Sequence, residues 1–158
     1  MRVWRLCRRA HVAPDGEGAR RHGGRWNQRG TAGVYASASV SLAALECLVH
    51  LDPEDAPSDL LLVPADIPPS LAIKEVRIET LPANWRSLPA PDALGQIGTT
   101  WARDLESVVL SVPSAVVPME RNYLLNPAHP DFRKIAFGRA RAFSFDPRMW
   151  KTRPRWVE

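Results

Sequence analysis

Apolar and polar positions change their rhythm several times along this chain. "RVWRL" (2–6) alternates and predicts a short strand. "GVYAS" (33–37) predicts another, since Val34 and Tyr35 suit a pleated surface. A polar, glycine-rich loop separates the two. In "SVSLAALECLVHL" (39–51), Leu42, Leu45, Leu48 and Val49 recur at helical spacing and predict a helix with that buried stripe. Ser39 or Ser41 can cap its start, and Pro53 stops it soon after its end. "LLLVPADI" (60–67) and "AIKEVRI" (72–78) predict strands, and "PANW" a short helical turn. "APDALGQIGTTWARDLES" (90–107) predicts a second helix, capped at Asp92 and weakened by Gly95 and Gly98. "VVLSV" and "AVVPM" are two short apolar runs joined by Pro113; "NYLLNPAHPDF" turns sharply at two prolines; "ARAFSFD" (140–146) predicts a final strand. The prolines fall mostly between these elements and punctuate short strands. The sum is an α+β fold: one domain over residues 1–150, of short twisted β-strands with two principal helices, followed by a basic tail over 151–158.

Composition narrows the class. With 158 residues and 45% hydrophobic content, the chain can bury one core and is too apolar for disorder. No apolar run approaches the roughly 20 residues that span a bilayer, and "MRVWRLCRRAH" lacks the apolar stretch of a secretory signal. Cys7 and Cys47 have no metal-like spacing and read as reduced thiols of a cytoplasmic protein. The net charge of +4 conceals balances of +6 over residues 1–29, −7 over 30–130 and +5 over 131–158. A fold that joins the two ends would make a positive surface; dispersed, the same arginines are solvated surface charge.

Few residues stand out as chemistry. On a helical wheel Glu46 lies roughly 40° from Leu42 and roughly 60° from Val49, at the edge of the buried stripe. A carboxylate there either finds a partner or packs its stem while its head reaches water. His50 is one turn on, but a Glu–His pair with no third ligand is a poor metal site. In "HGGRWNQRGTAGVYAS" (22–37), Gly23 and Gly24 permit close backbone approach, and Arg25 offers a planar fork of donors for an anion. The stretch is neither a dinucleotide fingerprint nor a phosphate-binding P-loop, and alone it is a surface turn. Tyr35 can stack on a ring or fill the core. "VPSAVVPMERNYLLNPAHPDF" (112–132) gathers Ser114, Asn122, Asn126 and His129, without the elbow of a serine hydrolase.

Four blocks, in order across nearly the whole chain, resemble the RES-domain toxins of bacterial toxin–antitoxin pairs: "GGRWNQRGTAGVYASASVSLAALECLVHL", "LPANWR", "IGTTWARDLESVVLSVPSAVVPMERNYLLNPAHPDF" and "FSFDPRMW". The resemblance implies an ADP-ribosyltransferase-like fold and an enzyme that splits the nicotinamide–ribose bond of NAD, with water, phosphate or, in some relatives, a protein as acceptor. It implies NAD as substrate, with no metal and no separate cofactor. It implies a cognate antitoxin with a helix-turn-helix region and a C-terminal domain that covers the toxin, and a homodimer within a larger complex that meets DNA only through the antitoxin. Carried over by motif, Arg25, Tyr35 and Glu46 are the catalytic set. Arg25, Tyr35, Ser114 and Asn126 are the substrate-binding set. The motifs give Trp26 no role, and it is read as packing beneath the loop.

The chemistry accommodates that assignment. Cleaving the bond passes through an oxocarbenium-like sugar, which a carboxylate stabilises. Glu46 is the one acidic residue between Glu17 and Asp52. Arg25 suits the phosphates of NAD, Tyr35 the nicotinamide ring, and the Ser114 hydroxyl the carboxamide or ribose. The competing class is a non-catalytic, basic nucleic-acid-binding module, motivated by the pI near 9.6. It lacks any zinc-finger, RNA-recognition or helix-turn-helix signature.

Overall fold

The computed structural model describes residues 1–52 and 57–149. In chain order its elements are β1 (Arg2–Arg8), α1 (Glu17–His22), β2 (Val34–Ser37), α2 (Val40–Leu48), β3 (Leu60–Asp66), β4 (Ile73–Glu75), α3 (Asp92–Arg103), β5 (Val109–Pro113), β6 (Arg121–Leu125), β7 (Ala136–Phe137) and β8 (Arg141–Ala142). The strands form one sheet in the order β4-β5-β6-β2-β1-β3-β7, with β8 also on β3. Every pairing is antiparallel except β4 with β5. Register is explicit along the sheet: Trp4 stands opposite Ser37, and Ser37 opposite Asn122.

Both faces of the sheet are covered, which explains why β5 reads as a continuous apolar run and is buried along its length. One face packs Val3, Val34, Ala65, Ile67, Val109 and Leu125. The other packs Leu110, Val112 and Leu124 against Trp26, Trp85, Leu94 and Trp101. Alternation along β5 and β6 sends neighbouring residues to opposite cores.

Ser39 is the cap of α2, its hydroxyl accepting the Leu42 N–H at 3.1 Å. The expected stripe on this helix is partly displaced. Leu42, Ala43 and Ala44 are buried, whereas Val49 is 55% exposed. The helix lays its small side chains on β1 and β2 and ends at Leu48, so Val49 falls at the terminus. The stop expected at Pro53 and the tail over 151–158 lie outside the described residues.

Other expectations are corrected. The loop before β2 contains α1, which buries no side chain and so shows no apolar period. Its start is marked instead by Asp15, which accepts the Glu17 N–H, and by Glu17 paired with Arg20. "NYLL" belongs to β6, a central strand, because Pro127 follows only after pairing has ended. "AVVPM" is a turn rather than a second apolar strand. The strand expected over 72–78 shrinks to β4, and the one expected over 140–146 to β8. Pro91, not Asp92, occupies the cap of α3, and Asp92 enters its first turn, where the helix dipole favours a carboxylate.

Candidate active site

The loop after α1 is a built scaffold. Gly23 takes a left-handed φ of 73°, a conformation that costs glycine little. The Gly24 N–H donates to the Asn27 carbonyl at 2.9 Å. Asn27 is buried, and its amide donates to the carbonyls of Ala19 and Thr31 at 2.9 and 3.0 Å. Its Oδ1 accepts the Tyr35 hydroxyl at 2.7 Å, and that hydroxyl accepts the Trp26 N–H at 3.2 Å. Trp26, 2% exposed, packs beneath the loop with Trp85 and Trp101. Burial pushes the Tyr35 phenol far above its usual range, against the opposing pull of the Trp26 N–H and the Arg25 charge.

With Trp26 and Asn27 turned inward, Arg25 reaches across to another loop. Its Nη1 donates to the Trp85 carbonyl at 2.6 Å and its Nη2 to the Ser87 carbonyl at 3.2 Å. A guanidinium carries five N–H donors, so others remain for a ligand. Burial lowers the Arg25 pKa, while the Glu46 carboxylate and Tyr35 act in the opposite direction.

Glu46 is half-buried on α2. Its Oε1 accepts the Ser114 hydroxyl at 2.7 Å and the Asn122 amide at 2.5 Å. Ser114 is fully buried, and its Oγ also accepts the N–H groups of Val116 and Val117 at 3.1 and 2.8 Å. The hydroxyl thus anchors the turn after β5 and gives its one proton to Glu46. On the far side, Ser37 donates to Asn122 Oδ1 at 2.7 Å.

These groups meet at a cleft of about 670 Å³. Arg25, Tyr35, Ser37, Glu46, Asn122 and Arg86 form its polar part. Trp4, Leu6, Val49 and Leu51 form an apolar part, and His50 also lines it. Glu46 is the single acidic residue among the described lining residues. Arg86 donates from Nε to the carbonyl of Ala115, another lining residue, at 2.9 Å.

The structure therefore brings Arg25, Tyr35 and Glu46 together. It places Ser114 behind Glu46, where the hydroxyl proton is already used, rather than on the cleft wall. The Tyr35 hydroxyl is likewise used within the loop, leaving the ring to line the cleft. Asn126 is elsewhere: it is 1% exposed, its amide donates to the Ala102 carbonyl at 2.9 Å, and its Oδ1 accepts the Ala128 N–H at 3.0 Å. That side chain ties the end of α3 to the turn after β6 and does not line the cleft. The asparagine at the site is Asn122, four positions earlier. Ser37 and Arg86 were not singled out from the sequence, and Asn122 was noted beside Ser114 and Asn126 but given no role; register opposite Ser37 is what places it at the site.

Among the described residues no group of three or more His, Cys, Asp or Glu is gathered where it could hold a metal. No helix there is long and apolar enough to cross a membrane.

Comparison with known proteins follows the same outline. A protein of Yersinia enterocolitica named "Toxin Res" is 41% identical over 152 residues, covering 94% of this chain and 99% of its own length. The "Prs ADP-ribosylating toxin" of a Sphingobium species is also 41% identical, over 92% of this chain and 94% of its own. A "Toxin Res" of Photorhabdus laumondii is 39% identical over 97% and 99%. In three dimensions, a chain from the crystal structure of the M. tuberculosis MbcT–MbcA toxin–antitoxin complex matches with a TM-score of 0.72, over 94% of this chain and 86% of that one. At 18% identity the likeness is one of fold. The shared fold is α+β, built on one mixed sheet. Residues 2–146 match the RES domain, and the chain belongs to the RES-domain family.

Proposed function

We propose that this protein is the toxin of a toxin–antitoxin pair and that it consumes NAD by breaking the bond between nicotinamide and ribose. The observation that carries the reading is a cleft lined by one carboxylate, Glu46, and two arginines, Arg25 and Arg86, among its described residues. Hydrolysis of ordinary glycosides uses two carboxylates, one of them to protonate the leaving group. Nicotinamide leaves from a pyridinium: the C–N electron pair departs with the ring nitrogen, which becomes neutral and needs no proton. One carboxylate then suffices, to stabilise the ribosyl cation or to orient the acceptor oxygen. Arg25 and Arg86 suit the two phosphates, and the Tyr35 ring suits a flat aromatic base.

The test is nicotinamide release from NAD by the purified chain, with and without phosphate. Glu46→Gln removes the charge but keeps the shape, and release falls to background. No release by the wild-type chain, free of any partner, in either buffer overturns the reading. A second reading keeps the bond cleavage but makes a protein side chain the acceptor. The name of the Sphingobium relative, "Prs ADP-ribosylating toxin", favours it. Label from the adenylate half of NAD then appears on a protein band.

The partner proposed is a cognate antitoxin, in keeping with the toxin–antitoxin complex that shares the fold. Co-expression with a helix-turn-helix candidate antitoxin, sought in the neighbouring genes, is expected to yield a stable complex that releases no nicotinamide. Recovery of the two as separate species refutes that pairing.

A further inference from the structure

Both hydrogen bonds to the Glu46 carboxylate land on the same oxygen. Ser114 and Asn122 donate to Oε1, and no described residue donates to Oε2. The carboxylate is gripped from one side and left open on the other. A carboxylate held by a single donor can swing about it; two donors from different segments, β6 and the turn after β5, restrict it.

Asn122 is itself held in one orientation. It lies on β6 opposite Ser37 of β2, and the Ser37 hydroxyl donates to Oδ1. The amide nitrogen is thereby turned toward Glu46. The reverse rotamer would set two acceptor oxygens against each other, since an ionised carboxylate only accepts. Ser37 is 5% exposed, so its hydroxyl depends on this partner. The result is a relay, Ser37 to Asn122 to Glu46, running from the floor of the sheet up to the helix. Ser114 closes the same oxygen from the turn after β5.

We infer that Asn122, oriented by Ser37, is a positioning residue for the reaction: it fixes Glu46 through Oε1 so that the other carboxylate oxygen meets the ribosyl cation or the acceptor. The inference rests on the reading that Glu46 acts on NAD. The two donors hold Oε1 in place, and no described residue donates to Oε2, so that oxygen of a cleft-lining side chain is left for the substrate. Arg25 and Arg86 line the same cleft but bond elsewhere, to the carbonyls of Trp85, Ser87 and Ala115. They do not substitute for the missing grip when Asn122 is removed.

The experiment is steady-state nicotinamide release by the full chain across a range of NAD concentrations. The proteins compared are wild type, Asn122→Ala, Ser37→Ala and the double variant. A positioning role acts on kcat. Asn122→Ala lowers kcat by about ten- to a hundredfold, with KM held within about twofold, the scale set by a misplaced catalytic group. Ser37→Ala gives a smaller loss of the same kind. In the double variant it adds nothing, because Ser37 acts through Asn122. If Asn122→Ala does not fold, the kcat and KM of Ser37→Ala decide alone. Wild-type kcat in Asn122→Ala overturns the inference, as does a loss carried by KM or a Ser37 effect that simply adds. With only Ser37→Ala to judge by, an unchanged kcat overturns it. An inactive wild-type protein overturns the functional reading and the inference together. An active wild type beside an equally active Asn122→Ala overturns the inference alone.

Discussion

A side chain on Gly98 of α3 would stand 1.7 Å from the backbone carbonyl oxygen of Trp26. The helix and the arginine-bearing loop are in direct contact through main-chain atoms at that point. Alanine favours a free helix over glycine by about 1 kcal/mol. Here Gly98→Ala has the opposite sign, because backbone rather than a flexible side chain must yield. We expect a loss of about 2–4 kcal/mol in urea unfolding, with nicotinamide release impaired as the loop shifts. Gly95 is the control. A Cβ there meets the Gln28 side chain at 3.3 Å, which can move aside, so Gly95→Ala is close to neutral.

Tyr35→Phe removes the hydroxyl that joins Asn27 Oδ1 to the Trp26 N–H. Stability at neutral pH falls by about 1–3 kcal/mol, the cost of leaving buried polar groups unpaired. The variant also changes the response to alkali. A phenol whose pKa is raised by folding holds its proton more tightly in the native state. Its contribution to stability is whole below the unfolded value of about 10 and is lost as pH rises toward the folded value. Urea midpoints measured upward from about pH 9 therefore fall in the wild type, and the fall is shallower in Tyr35→Phe.

Arg25→Lys keeps the charge and loses the fork. One ammonium cannot reproduce the two bonds to the carbonyls of Trp85 and Ser87 together with contacts to a phosphate. The expected outcome is a KM for NAD raised by about tenfold, and faster hydrogen exchange over residues 85–87. Unaltered exchange in that segment would show that the two carbonyl bonds do not hold it.

Asn126→Ala separates fold from chemistry. It deprives the buried Ala102 carbonyl of its partner and removes the acceptor of the Ala128 N–H, which lies at the surface. Stability drops by about 2–4 kcal/mol, while nicotinamide release per folded molecule stays at the wild-type level. A kcat defect in folded Asn126→Ala would return that residue to the site.

How far the sequence alone reached depended on whether a feature is local. The helix over Glu46 was legible because its apolar spacing and its Ser39 cap are both written within a dozen residues. β6 was not, because its two leucines serve opposite cores and two nearby prolines suggested a turn. Gly95 and Gly98 read as weaknesses in a helix; at Gly98 the glycine is instead a requirement set by a loop some seventy positions away. Arg25, Tyr35 and Glu46 were legible through motif blocks and meet at one cleft. Asn122 was passed over for Asn126, since composition cannot say which of two nearby asparagines faces a carboxylate. Only pairing of β6 with β2 makes that distinction.

The place of β6 in the sheet bears on the order in which the cleft is completed as the chain is made. A ribosome has finished Arg25, Tyr35 and Glu46 long before it reaches Arg121. Until then β2 has no neighbour on the side away from β1, and Glu46 has no Asn122 to hold it. A message cut short, or a nascent chain stalled midway, yields the recognisable residues without the strand that seats them. The seating of Glu46 is thereby deferred until β6 has been made.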